Sequence, residues 1–183
     1  MGPSGAGKDS VLDRARASLT ADAPVIFAHR YITRDAAAGG ENHVALTSRE
    51  FALRLQHGLF AFHWQAHGNH YGIGREIHDW RHAGLTVVVS GSREHFERAE
   101  GIDAGTHPVL ITASPQQLAE RLAGRGREDS GKAAARLDRG ARYQVTDRRV
   151  VTIINDSALD TAAEEFVSLL ATLRCSPAGR RQA

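Results

Sequence analysis

Four short apolar runs punctuate the chain: Val25-Ile26-Phe27-Ala28, Thr86-Val87-Val88-Val89, Val109-Leu110-Ile111-Thr112 and Val150-Val151-Thr152-Ile153-Ile154. Each is continuous rather than alternating, the pattern of a strand buried on both faces of a parallel sheet. Segments of helical period lie between and after them. One runs from Val11 to Leu19. A second, Thr47 to Leu55, opens with the capping box Thr47-x-x-Glu50 and sets Phe51 and Leu55 one turn apart; a third, Glu76 to Ala83, is closed by Gly84. Ser114-Pro115 starts a fourth, an N-cap serine followed by proline in the first turn, with Leu118 and Leu122 on one side. A fifth runs from about Ala158, with Leu159, Phe166, Leu169, Leu170 and Leu173 as its apolar stripe. Strands alternating with helices predict an α/β fold with a parallel sheet. Residues 30–74 break the rhythm. They are rich in glycine, histidine and aromatics, carry a Gly68-Asn69 turn signal, and read as an insertion projecting from the sheet. A polar tail follows Ser176, and there is no internal repeat.

Length and composition narrow the class. The 183 residues fit a single domain, 1–183, and are enough to bury a core without disulfides. With 42% hydrophobic and 24% charged residues, a mean hydropathy of −0.35 and no run near the ~18 apolar residues of a membrane span, a membrane protein is excluded. Cys175 stands alone, which excludes an internal disulfide and a four-cysteine zinc site; no signal-peptide pattern opens the sequence, so the expected location is cytoplasmic. The net charge of +2 is too small to argue for a nucleic-acid partner, although the pI is near 9.0. Locally the picture differs. Residues 121–149 hold nine basic and four acidic residues, a net +5 that leaves −3 for the rest of the chain.

The clearest chemistry sits at the start. Gly2-Pro3-Ser4-Gly5-Ala6-Gly7-Lys8-Asp9 matches the G-x-x-x-x-G-K part of a phosphate-binding loop, with Asp9 where Ser or Thr is usual. Such glycines let successive backbone N–H groups curl around phosphate oxygens, the following helix turns its positive end towards them, and Lys8 reaches the β- and γ-phosphates. A glycine-rich turn with no ligand is the bland alternative. Lys8 is one of two lysines beside 21 arginines, which favours the loop. Asp9 either ligates magnesium directly or sits behind Ser10, whose hydroxyl then ligates the ion. Such a loop normally follows a buried strand, and only Met1 precedes it; about ten residues, a strand with a short lead, are expected to be missing ahead of Met1.

The basic segment is the second candidate. Arg121 and Arg125, four residues apart, share a helix face, and Arg136 lies eleven residues further on, across the turn-like stretch from Gly126 to Gly131. Helix, loop and helix with inward arginines over about 121–143 read as a lid closing on a triphosphate, because guanidinium forks stabilise charge on a transferring phosphoryl group. A solvated helix face with surface ion pairs is the alternative; a phosphate loop in the same chain favours the lid. The ten histidines are scattered, and His63, His67 and His70 lack the flanking ligands of a metal site.

Taken together, these segments resemble the guanylate-kinase-like branch of nucleoside monophosphate kinases, and within it the ribose 1,5-bisphosphate phosphokinases of bacterial phosphonate breakdown. The resemblance reaches to about Leu173 and rests on GPSGAGKDS at 2–10, HRYITR at 29–34, GGENH at 39–43, HGNHYGIG at 67–74, VVVSGSR at 87–93, RLAGRGRE at 121–128, ARLDRGARY at 135–143 and IIND at 153–156. It implies a three-layer P-loop kinase fold with a parallel sheet, a small substrate-binding insertion, and a helical lid. It also implies an ATP site formed by Gly2, Pro3, Ser4, Gly5, Ala6, Gly7, Lys8, Asp9, Ser10, Arg121 and Arg125, with Asn155 near the adenine. Lys8, Arg125 and Arg136 are then the catalytic cations, and magnesium is held at Asp9 or Ser10. The region from Arg30 to Tyr71 receives the second substrate.

Departures from guanylate kinase carry the substrate expectation. Arg34 matches that family's first phosphate-binding arginine, but the second is replaced by Ala37; no carboxylate stands near Phe62 and His63 to read a guanine edge, and the later acidic residue is replaced around Ser90. A site without those acceptors loses guanine preference by a large factor. Arg30, Arg34, Tyr71 and Glu41 remain to meet a small, doubly phosphorylated sugar. The implied reaction passes the γ-phosphoryl group of ATP to ribose 1,5-bisphosphate, giving 5-phospho-α-D-ribose 1-diphosphate (PRPP) and ADP. The alternatives are a nucleoside monophosphate kinase of unusual base choice and a non-catalytic guanylate-kinase-like module that binds protein ligands; the intact Gly7-Lys8 argues against the module.

Overall fold

Helices begin and end where local chemistry supplies partners for their free backbone groups. In the computed structural model, which describes residues 1–38, 43–93, 96, 105–124 and 147–175, helix α1 (Lys8–Ser18) starts directly behind the glycine-rich loop with Gly7 as its N-cap. Helix α2 (Ser48–Gln56) is capped by Thr47, whose hydroxyl accepts from the Glu50 N–H at 3.1 Å. The reciprocal half of the expected box does not form. Glu50 instead accepts from Arg54 Nη2 at 2.7 Å, one turn on. Helix α3 (Glu76–His82) ends in paired bonds, Gly84 N–H to Arg81 O and Leu85 N–H to Trp80 O, with Gly84 at φ 84°. That is the Schellman arrangement that a glycine at this position predicts. Helix α4 (Pro115–Gly124) starts after Ser114, and the long α5 (Leu159–Cys175) closes the described chain.

The described residues divide into two compact units, Met1–Leu19 with Gly91–Ala183, and Thr20–Ser90. In the first, β7 (Val109–Thr112) and β8 (Val151–Ile154) form a parallel pair in register from Val109–Val151 to Thr112–Ile154. Met1 lies beside β7: its amino group donates to Val109 O and its carbonyl accepts from Ile111 N, both at 2.9 Å. Helices α1 and α5 pack together, and the residues buried here include Ala6, Val11, Ala15, Ile111, Ile153, Ala162, Ala163, Phe166 and Leu170.

The second unit contains another parallel pair, β1 (Val25–Phe27) with β6 (Thr86–Val88). Beside these strands in sequence is a four-stranded mixed sheet of order β3-β2-β5-β4, built from β2 (Arg30–Ile32), β3 (His43–Ala45), β4 (Phe60–Ala66) and β5 (Asn69–Gly74). The segment read as an insertion is thus mostly sheet. Its β4–β5 hairpin turns at His67-Gly68, one residue before the expected Gly68-Asn69, with φ of 50° and 75°. Two consecutive left-handed residues match the twist of the flanking strands, and Asn69 Nδ2 donates to His67 O at 3.2 Å. Phe51 of α2 stacks on Phe60 at 4.6 Å between centroids, joining helix to sheet.

One expectation needs correcting. The continuous apolar runs predict strands buried on both faces, yet only Ile153 of β8 is buried, and Val151 and Ile154 are 40% and 59% exposed. Side chains project from the faces of a sheet, so among the described residues β8 is covered over Ile153 and open over Val151 and Ile154. No helix among the described residues is long and apolar enough to cross a membrane.

Candidate functional site

The loop of residues 2–8 is shaped by its glycines. Gly5 and Gly7 take left-handed φ of 89° and 75°, which side chains disfavour, and Ala6 between them is fully buried. Ala6 N–H donates back to Pro3 O at 3.2 Å, and Gly7 O accepts the first helical bond from Val11 N–H at 2.9 Å. The N–H groups of the first turn of α1 therefore open beside the loop with the positive end of the helix behind them. Lys8 forms an ion pair with Asp9, and its side chain is only 12% exposed. Asp9 in the first turn also suits the helix dipole. Ser4 and Ser10 are exposed.

Two groups from elsewhere in the unit converge on this loop. Asn155, just past β8, is 4% exposed, and its Nδ2 donates to Ala6 O at 2.9 Å. Arg121 of α4 has a buried Nη1 with no hydrogen-bond partner among the described residues. That atom lies 3.8 Å from where a Cβ on Gly7 would sit. A buried guanidinium N–H without an acceptor is costly unless a ligand supplies one. A cradle of backbone N–H groups, a lysine and an unsatisfied arginine donor fit a polyphosphate.

Helix α4 is itself tied to the end of β8. Ser114 N–H donates to Asp156 Oδ1 at 2.6 Å, and Ser114 Oγ accepts from Gln117 N–H at 3.4 Å. Asp156 is 42 residues from its partner, and no spacing rule in the sequence links them.

The remaining candidates fall in the other unit. Arg30 begins β2, and Tyr71 of β5 pairs opposite Ile32. Alternation along β2 places Arg30, Ile32 and Tyr71 on one face of the sheet. Tyr71 is 7% exposed and stacks on Trp64 at 5.3 Å and 8°. Arg34 follows β2, and its carbonyl lies 3.3 Å from His43 Nε2. Tyr31 lies on the opposite face. Its hydroxyl donates to Glu76 Oε1 at 3.1 Å, and Arg54 stands over its ring at 4.9 Å. Burial first, and the Glu76 carboxylate second, raise the Tyr31 phenol above its ordinary range, so it stays a neutral donor. Glu41, Arg125 and Arg136, with the lid beyond residue 124 and the tail from residue 176, lie outside the described residues.

Comparison with known proteins gives the family and the fold. Residues 1–150 match the profile of the AAA domain family. The chain is 49% identical over 181 residues to the ribose 1,5-bisphosphate phosphokinase PhnN of Desulfomicrobium baculatum, covering 99% of this chain and 96% of the relative. The chain belongs to the ribose 1,5-bisphosphate phosphokinase family. A second member of that family, from Thiobacillus denitrificans, is 48% identical over 170 residues, 93% of this chain and 90% of the relative. Among solved structures, guanylate kinase from Anaplasma phagocytophilum superposes with a TM-score of 0.66 at 16% identity, covering 96% of this chain and 84% of that one. That likeness establishes the fold, a guanylate-kinase-like P-loop architecture of mixed α/β type with parallel sheets.

Proposed function

We propose that this chain transfers the γ-phosphoryl group of ATP to the 1-phosphate of ribose 1,5-bisphosphate, forming 5-phospho-α-D-ribose 1-diphosphate and ADP. The observation that carries the reading is the intact phosphate loop with Lys8 and the unsatisfied Arg121 Nη1 beside it, in a chain 49% identical to a ribose 1,5-bisphosphate phosphokinase.

In this reaction a phosphate oxygen of the sugar forms a new bond to the γ-phosphorus while the bond to the β–γ bridging oxygen breaks, and the leaving charge resides on ADP. The nucleophile is already an anion, so no general base is required, and catalysis reduces to alignment and charge neutralisation. The loop N–H groups and Lys8 hold the β- and γ-phosphates. Arg121 meets them from α4, and Arg125 and Arg136 supply further cations from the lid. Asp9 or Ser10 would hold a magnesium ion, which supplies charge neutralisation across the phosphates. Arg30 and Arg34 receive the sugar phosphates, with Glu41 accepting from a ribose hydroxyl and Tyr71 lining the site. All of this takes place in a cytoplasmic enzyme of phosphonate breakdown.

A substrate panel tests the reading: ATP with ribose 1,5-bisphosphate, GMP, AMP or UMP, following ADP release. Turnover is expected with the sugar bisphosphate, and fast GMP turnover would overturn the assignment. Lys8→Ala is expected to lower kcat by about a hundredfold or more, the scale of losing a group that stabilises transition-state charge. Near-normal activity in that variant would sink the kinase reading altogether.

A further inference from the structure

Asn155 is the one buried polar or charged residue among the described residues. Its backbone N–H donates to Thr112 O at 2.7 Å, extending the β7–β8 ladder by one position, so the side chain is mounted on rigid backbone. The side chain points at the loop and gives its Nδ2 hydrogen to Ala6 O at 2.9 Å. A carbonyl only accepts, so the NH2 end of the amide must face it.

That bond fixes more than one atom. A trans peptide is planar, and its C=O and N–H point in opposite directions. Holding Ala6 O on Asn155 turns the Gly7 N–H of the same peptide away from Asn155. Gly7 leaves room for the amide: a Cβ there would stand 2.6 Å from Asn155 Nδ2. The neighbouring Asp156 holds the start of α4, the helix that carries Arg121.

We propose that Asn155 is a positioning residue of the phosphate loop, whose amide sets the Ala6–Gly7 peptide so that Gly7 N–H donates to a polyphosphate oxygen. The proposal rests on the reading of residues 2–8 as the ATP loop, and it assigns Asn155 to the phosphates instead of the base.

Inorganic tripolyphosphate separates the two roles, because it has phosphates and no adenine. Affinities for magnesium-ATP and for tripolyphosphate are measured by calorimetry on the wild type, Asn155→Ala and Asn155→Asp. Stranding the Ala6 carbonyl, or facing it with a second acceptor, is expected to weaken both ligands by the same factor of about ten to a hundred. A tripolyphosphate affinity within about threefold of wild type in both variants overturns the proposal, whether or not ATP binding falls. Should neither variant fold, exchange of the Asn155 side-chain amide hydrogens in the wild type decides by NMR. Slow exchange in the ligand-free protein supports the bond to Ala6; exchange at the rate of a solvent-exposed asparagine refutes it. A wild-type protein that binds neither polyphosphate fails the loop reading itself, and this proposal with it. One that binds ATP without phosphorylating the sugar fails only the substrate assignment.

Discussion

Gly7 shows how one residue can be required twice over. Its φ of 75° costs an L-residue about 1 kcal/mol or more, and its missing Cβ makes room for the Asn155 amide. Gly7→Ala therefore meets strain and a 2.6 Å contact together. A stability loss of about 1–3 kcal/mol is expected in chemical denaturation, with ATP affinity down by more than about tenfold as the loop peptide is pushed aside. Wild-type affinity in that variant would mean the loop tolerates a different path. The turn at Gly5 and Gly7 was legible in the sequence because the glycine pattern is contiguous, and the structure gives both a left-handed φ. Asn155 was legible only through resemblance. Its partner Ala6 is 149 positions away, and no local pattern places an amide against that carbonyl.

At the scale of elements, the sequence was most readable where the interactions are local. Thr47 caps α2 and Gly84 terminates α3 as their positions in sequence predict, because each bond spans three to five residues. Thr47→Ala is expected to lower stability by about 1 kcal/mol, the cost of one cap. An unchanged midpoint in denaturant titration would mean that the Thr47 hydroxyl does not hold the Glu50 N–H in solution. The sheet of residues 30–74 was harder to read. Its strands are three to seven residues long, β2 pairs with β3 on one side and β5 on the other, and the order is set by contacts far apart in sequence. Even the hairpin signal was displaced by one residue, because His67 accepts a left-handed φ that composition alone assigns to Gly68 or Asn69. Gly72 follows the same logic: Phe60 lies against it, and a Cβ there would meet the ring at 2.6 Å, a constraint that exists only once the strands are paired.

Within the first unit, α5 packs against α1. Residues 1–19 fold with the last part of the chain, while residues 20–90 form a unit of their own, so the loop and α1 depend on a helix more than 140 residues away. Two kinds of contact join α1 to α5. Arg14 and Asp160 make a fork-like pair, with Nη2 to Oδ2 at 3.1 Å, and each side chain is more than half exposed. Donating to the Asp160 carboxylate raises the Arg14 pKa, but a solvated pair of this sort adds little to folding. The buried residues of the two helices are small or apolar: Val11 and Ala15 on α1, and Ala162, Ala163, Phe166 and Leu170 on α5. Phe166→Ala is expected to cost about 3–5 kcal/mol through lost burial and the cavity left behind, and to weaken ATP binding secondarily as α1 loses its support. Arg14→Ala is expected to leave both the denaturation midpoint and ATP affinity where they were. If Arg14→Ala proved the more damaging change, the seam would be electrostatic, and the phosphate loop would be held in place by a surface ion pair sensitive to salt.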